Sequence, residues 1–347
     1  MAYNDLVAEL VGTCPKLSAL HAGQLVNRAW SKVRDFRTWS FNIVADAQLF
    51  VPAVISAGTV ATATFGSQSI VMDAAAGAAL NAVVTANPPL AGAIGIGRQI
   101  RLGETNGLSS PIGPNYTILA WDNLTLTITI DKPFGEESIS NSAYQVIKCY
   151  YAAPGLPYTS PSTPDPGLVR FLSIVNRANG YAFSGRNLNW SQEALNSIDP
   201  QRGGQGDAYI QANYGRTAVG LPVFELYPNP VNFTTYNVMY FTRWPNLSPS
   251  VDLPQMPYQL ADLVTVGAKV LAAQWALANV VTFEELGKTN WVAYAGMMQT
   301  EFKDALIQCI KVDDEIMSGE VRRQGAGFSF PLGGQFLQGH DLSSLFP

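Results

Sequence analysis

Gln259-Leu260-Ala261-Asp262-Leu263-Val264-Thr265-Val266-Gly267-Ala268-Lys269-Val270-Leu271-Ala272-Ala273-Gln274-Trp275-Ala276-Leu277-Ala278-Asn279 is the stretch on which the fold turns. Leu260, Leu263, Val264, Gly267, Val270, Leu271, Trp275 and Ala278 recur at three- and four-residue steps, the signature of one apolar helical face. Ala261, Gly267, Ala268, Ala272, Ala273 and Ala276 are small enough to let other helices approach closely. A helix with such a face needs helical partners. One follows from about Thr289, a suitable N-cap, to Met317, with Trp291, Tyr294, Ala295, Met298, Phe302, Ala305, Cys309, Val312 and Ile316 along one stripe.

The remaining partners lie at the other end of the chain. Residues 3–11 place Leu6 and Leu10 at helical spacing and stop at Gly12, with Pro15 beyond. A longer amphipathic helix is predicted from Ser18 to Phe36 on Leu25, Val26, Ala29, Trp30, Val33 and Phe36, with Arg28, Lys32, Arg34 and Asp35 mostly on other faces. The expected fold class is therefore α+β: a helical bundle built from both chain ends, interrupted in sequence by a large β-barrel or sandwich region. Trp30, Val33, Leu263, Leu271, Trp275, Trp291 and Phe302 are the expected bundle core.

The interrupting region begins near Gln48, where the period changes to two. Leu124, Leu126, Ile128 and Ile130 alternate with Thr125, Thr127, Thr129 and Asp131 in the cleanest such run, after a hairpin-like Asp122-Asn123. Further strands are expected at 59–65, 99–102, 116–121 and 144–151, with an Ala-rich helical candidate at 73–86. Residues 154–167 hold five prolines and read as an extended connector. Beyond it come a strand at 170–175, a polar turn-rich stretch at 180–220, and two strands at 223–227 and 236–243 around Pro228-Asn229-Pro230. The tail carries Phe328, Phe330, Phe336 and Phe346 among Gly, Gln and Ser, and reads as an arm that lies on a neighbour. The expected division is 1–46 packing with 255–318, an insert at 47–153, a linker and second β region at 154–254, and an arm at 319–347.

Composition narrows the function. Of 347 residues 47% are apolar, yet only 14% are charged, so much of the surface must be covered by turns rich in Gly, Pro, Ser, Thr and Asn or by other proteins. A net charge of -5 without a Lys/Arg run argues against phosphate-driven DNA binding. Cys14, Cys149 and Cys309 are widely spaced and read as buried, reduced thiols of a protein made in the cytoplasm. Asp5 and Glu9 spoil any signal peptide at the start, and no apolar run is long enough to span a membrane.

No chemistry emerges from the motifs. His21 and His340 are the two histidines, and neither stands in a nucleophile context. Asp313-Asp314-Glu315 points in three directions from a helix and reads as a solvated face rather than a metal site. Gly95-Ile96-Gly97 precedes a strand instead of a helix, and no phosphate loop occurs. Glu136-Glu137 reads as a surface turn, and Arg202-Gly203-Gly204-Gln205 as a loop that turns the chain or makes a contact. No catalytic, cofactor or metal residue is expected, and the chain is expected not to be an enzyme. A wall hydrolase with carboxylates on distant strands is the least favoured reading.

Leu25-Val26-Asn27-Arg28-Ala29-Trp30, leading to Asp35-Phe36-Arg37-Thr38-Trp39-Ser40-Phe41, resembles the N-terminal helices of the head-to-tail adaptor, or connector, proteins of tailed bacteriophages. Gly97-Arg98-Gln99-Ile100-Arg101-Leu102, Tyr116-Thr117-Ile118 and Thr125-Leu126-Thr127-Ile128-Thr129-Ile130 look like a small β-module common in phage structural proteins. The helix after Pro257, with Ala272-Ala273-Gln274-Trp275-Ala276, is similar to the first C-terminal helix of such adaptors. The resemblance implies a homo-oligomeric, usually dodecameric, ring in the virion neck, made in the host cytoplasm. It implies a portal protein above, a tail or lower neck protein below, and a channel that passes DNA without specific binding. The large β insert departs from the smallest adaptors and leaves open which neck ring this is. The alternative is a virion receptor-binding or decoration protein with a glycan- or capsid-binding β-sandwich.

Overall fold

A computed structural model describes residues 3–14, 16–86, 98–103, 114–152, 165, 167–200, 202–216, 220–249, 258–278 and 291–324. Among them the chain is a mixed α+β protein with six α-helices: α1 (Tyr3–Thr13), α2 (Ala19–Phe36), α3 (Ala74–Ala86), α4 (Gln192–Ile198), α5 (Tyr258–Ala278) and α6 (Trp291–Gln324). The first nine strands are β1 (Ile43–Val51), β2 (Val60–Ala63), β3 (Ser69–Met72), β4 (Arg98–Leu102), β5 (Tyr116–Asp122), β6 (Thr127–Ile130), β7 (Ile139–Ser142), β8 (Tyr144–Lys148) and β9 (Tyr150–Ala152). Then follow β10 (Leu168–Asn176), β11 (Tyr181–Ala182), β12 (Ile210–Arg216), β13 (Pro222–Tyr227) and β14 (Thr234–Thr242). The chain divides into two compact units, Met1–Ile43 with Arg243–Pro347 and Val44–Thr242.

In the first unit, α1, α2, α5 and α6 contribute to one hydrophobic cluster that runs from Leu6 and Leu10 through Val26 and Trp30 to Leu263, Val270, Trp291 and Phe302. The Ser18 hydroxyl starts α2 by accepting from the His21 N–H at 3.3 Å. At Gly23 the Tyr3 side chain of α1 packs close against α2, its hydroxyl 2.1 Å from where a Cβ would stand. The irregular segment after Arg243 has no ladder of its own, so side chains of α2 satisfy its backbone. Trp30 Nε1 donates to the Pro245 carbonyl at 3.0 Å, Arg34 Nη1 to the Trp244 carbonyl at 2.7 Å, and Asn27 exchanges bonds with both backbone groups of Leu247. Arg34, placed by its spacing off the apolar stripe, is consequently buried. Lys269 of α5 pairs with Glu9 of α1 at 2.7 Å.

Among the described residues the second unit holds three sheets, antiparallel in every pairing described. The largest, in the order β7-β2-β3-β6-β5-β4-β8, curls into a half-barrel around Val60, Ile70, Ile118, Ile128 and Val146, with Ala76 and Leu80 of α3 in the same core. Asp73 begins α3: its Oδ1 accepts from the Ala76 N–H at 2.6 Å, and its Oδ2 accepts from the Thr59 N–H and hydroxyl, both at 2.8 Å. A four-stranded sheet, β1-β14-β10-β11, and a three-stranded one, β12-β13-β9, share a second core of Leu49, Tyr151, Phe171, Phe224 and Tyr240.

Several expected boundaries move. Strand structure begins at Ile43, earlier than Gln48. The alternation at 124–130 becomes a strand only from Thr127, because Asp122 accepts from the Leu124 N–H and the Thr125 hydroxyl and Leu126 turns to φ 52°. The run at 144–151 splits at Cys149, where the chain passes from the curled sheet, paired with β4, to the small sheet, paired with β13. The strands flanking Pro228-Asn229-Pro230 do not pair with each other; β13 lies between β12 and β9, and β14 between β1 and β10. The polar stretch at 180–220 is not merely loop, since it contributes β11, α4 and β12.

Candidate functional site

Arg202 organises the most polar region of the second unit. The helix α4 leads into it: Ser191 caps the helix by accepting from the Ala194 N–H at 3.2 Å, and Asp199 closes it with an N–H bond to the Leu195 carbonyl. Arg202 then sits at φ 54°, a left-handed conformation that costs a non-glycine residue energy and is held by its bonds. Its Nε donates to Glu225 Oε1 at 2.6 Å, its Nη1 to the Asp199 carbonyl, and its Nη2 to Gln192 Oε1 at 3.1 Å and Asn196 Oδ1 at 2.6 Å. The Arg202 carbonyl accepts from Arg101 Nη2 at 2.9 Å and Asn229 Nδ2 at 2.8 Å. Glu225 is fully buried on β13, directly opposite Tyr150 in the ladder. The loop at 202–205 is therefore a structural node as well as a turn.

Beside this node opens a cleft of about 470 Å³ lined by Gln99, Pro114, Asn115, Lys132, Tyr150, Gln192, Asn196, Pro200, Arg202 and Tyr214. The Tyr150 and Tyr214 rings lie 4.1 Å apart, tilted by 39°. Burial, and then the Glu225 carboxylate, push the Tyr150 hydroxyl well above its ordinary pKa. Burial also raises the Cys149 thiol, which donates to Gln99 Oε1 at 3.3 Å. The described lining offers amides, tyrosine hydroxyls and rings, and the cationic side chains of Lys132 and Arg202.

A second charged feature lies on the neighbouring strands. Arg98 and Lys148 face each other across the β4–β8 ladder, and Arg98 is almost fully buried. Burial, with Arg98 close by, brings the Lys148 ammonium down to about 8. Lys148 Nζ lies 5.3 Å from the centre of the Tyr151 ring.

Of the expected helical core, Trp30, Val33, Leu263, Leu271, Trp291 and Phe302 are buried, whereas Trp275 is partly exposed, its ring 6.3 Å from that of His21. Phe328, Phe330, Phe336 and Phe346 lie outside the described residues, as does Gly95-Ile96-Gly97. His21 is exposed, with Nδ1 3.1 Å from the Ser18 hydroxyl. Glu137 is exposed and Glu136 half-buried. Asp313 is not on a solvated face: it is fully buried and accepts from the Ser40 N–H at 2.9 Å, while Arg37 bonds the adjacent Asp314 at 2.6 Å. Burial raises the Asp313 carboxyl, outweighing the Ser40 bonds and the Arg37 charge. Among the described residues no three His, Cys, Asp or Glu side chains are grouped to hold a metal ion, and no helix is long and apolar enough to cross a membrane.

Glu225 and the cleft were missed by reading the sequence. The available signal was a lone acid inside Val223-Phe224-Glu225-Leu226-Tyr227, together with Arg98 and Arg101 inside an otherwise strand-like run. A charged residue flanked by apolar ones in a strand needs a buried partner, but nothing local names it. No known family model matches the chain, and no curated protein matches it either.

Proposed function

We propose that this protein is a structural, non-enzymatic subunit of a ring in the neck of a tailed bacteriophage. The observation that carries the reading is the hydrophobic cluster to which α1, α2, α5 and α6 all contribute, although α2 and α5 are separated in sequence by the whole β region. In this reading the four helices form a bundle beside the channel, the β region is an insert, and the C-terminal arm reaches a neighbour or the portal. The length of α6 fits the role, since 34 residues extend about 50 Å and outrun the 21 residues of α5 by more than three turns. Exposed apolar side chains on α6, among them Val292 and Met297, fit surfaces that meet other subunits.

The mechanism is mechanical. Copies of the chain would close a symmetric ring, joining a portal protein to a tail or lower neck protein. A low-charge, net acidic wall would let DNA slide without neutralising its phosphates. Gold-labelled antibody against the chain, imaged on intact virions, tests the location. Label at the head–tail junction supports the neck; label confined to fibres or the capsid face refutes it.

The polar, tyrosine-bearing cleft favours one second reading, a virion receptor-binding or decoration protein whose β region binds a glycan or the capsid. The same labelling separates the two.

A further inference from the structure

The cleft beside Arg202 is built from preset hydrogen-bond donors. A side-chain amide has a carbonyl oxygen and an NH₂ group, and a neighbour that can only donate fixes which end faces it. Arg202 Nη2 holds both Gln192 Oε1, at 3.1 Å, and Asn196 Oδ1, at 2.6 Å. Arg101 Nε holds Asn115 Oδ1 at 2.9 Å, and the Cys149 thiol holds Gln99 Oε1 at 3.3 Å. Each of the four amides is thereby oriented with its carbonyl toward the protein. Gln192 Nε2 is buried and has no hydrogen-bond partner among the described residues. An unmet donor at the wall of a polar cleft is costly until something supplies an oxygen.

The aromatic side of the cleft adds a second requirement. Tyr150 is half-buried, while Tyr214 is 51% exposed and packs on it at 4.1 Å. An exposed tyrosine propped against a half-buried one is a platform able to cover an apolar ring face at low entropic cost. Charge is largely balanced at the centre, where the Arg202 guanidinium is paired with Glu225 at 2.6 Å. The ligand must therefore present several oxygens to amide donors and one flat C–H face to tyrosine, in a volume of about 470 Å³.

We propose that this cleft binds a saccharide, with Gln99, Gln192 and Asn196 taking its hydroxyl and ring oxygens and Tyr214 stacking on a pyranose face. The proposal gives the second functional reading its site and rests on that reading's glycan chemistry, but it does not depend on where the chain sits on a virion. Location and sugar binding therefore fail separately: a chain at the neck can still carry the cleft, and a chain on a fibre can lack sugar binding.

The test uses the full chain, fluorescently labelled, on a microarray of neutral and acidic oligosaccharides. The expected result is binding to a set that shares one sugar unit, weakened roughly tenfold or more by Tyr214→Ala and by Asn196→Ala. Tyr181→Ala, on a strand outside the cleft, should bind as the parent does. Tyr214→Ala and Tyr181→Ala should keep the parent's thermal midpoint to within a few degrees, whereas Asn196→Ala, which removes an acceptor from Arg202, melts lower and is compared at a temperature where circular dichroism shows it folded. Absence of any array signal overturns the proposal. So does a signal that survives both cleft substitutions, or one that falls only in proportion to lost folded protein in circular dichroism.

Discussion

Replacing Arg202 by alanine should be among the most damaging single changes in the β unit, and its cost follows from the bonds the side chain makes. The guanidinium donates to Glu225, Asp199, Gln192 and Asn196, and Glu225 is fully buried. Removing one member of a buried ion pair leaves the other desolvated and uncompensated, which costs about 3–5 kcal/mol. For a unit of this size that corresponds to a fall of about 6–20 °C in the thermal midpoint. Arg202→Lys keeps the charge but cannot span four acceptors and should fall between parent and alanine variant. The double change Arg202→Ala with Glu225→Gln removes the stranded charge and should cost less than the two single changes added together, by about 1–3 kcal/mol. Differential scanning calorimetry and urea unfolding of the parent, the three single variants (Arg202→Ala, Arg202→Lys and Glu225→Gln) and the double variant measure this. An alanine variant within about 1 kcal/mol of the parent would refute the reasoning, as would strict additivity in the double variant.

Asp73→Ala should cost about 2–3 kcal/mol, combining a lost helix cap with two lost bonds to Thr59; urea midpoints report it. Burial pushes the Asp73 carboxyl up, but the bonds from Ala76 and Thr59 together hold it below the usual range, so its contribution is complete at neutral pH and lost as pH falls below about 4. The alanine variant should accordingly lose less stability on acidification than the parent. Asp313 has the opposite sign: its carboxyl is raised by burial, so the folded state holds the proton more tightly and stability declines as pH rises from about 4 through the folded value. Asp313→Asn, whose oxygen can still accept from Ser40, should flatten that decline in melts between pH 3 and pH 7. Deleting residues 325–347 should leave a folded monomer by circular dichroism while weakening ring assembly or portal docking in size-exclusion chromatography and electron microscopy; normal assembly would count against a role for the arm.

Helices were the most legible part of the sequence. A stripe at three- and four-residue steps is a local property, so Ser18 to Phe36 announced α2 and Leu263 to Ala276 announced α5 without reference to anything distant. Strand positions were legible to within a few residues wherever side chains alternated, as at Thr127–Ile130. Pairing was not. The strands at 223–227 and 236–243 read as two strands around one turn, yet they join different sheets: β13 pairs with its predecessor β12 and with distant β9, and β14 pairs with distant β10, since hydrogen-bonded partners are chosen by the shared core and not by proximity alone.

The candidate site was the least legible part for the same reason. Its Tyr150, Gln192, Asn196, Arg202 and Tyr214 come from four separate segments, and none is distinctive alone. Arg202 read as a turn residue, Glu225 as one letter in an apolar strand, and Asp313 as part of an exposed acidic run. Period, caps and composition are written into the chain by neighbouring residues, and these determined the elements and the scarcity of charge. Which charge is buried, and opposite which partner, is decided only when distant segments meet, because the cost of desolvating an ion is set by what surrounds it in space.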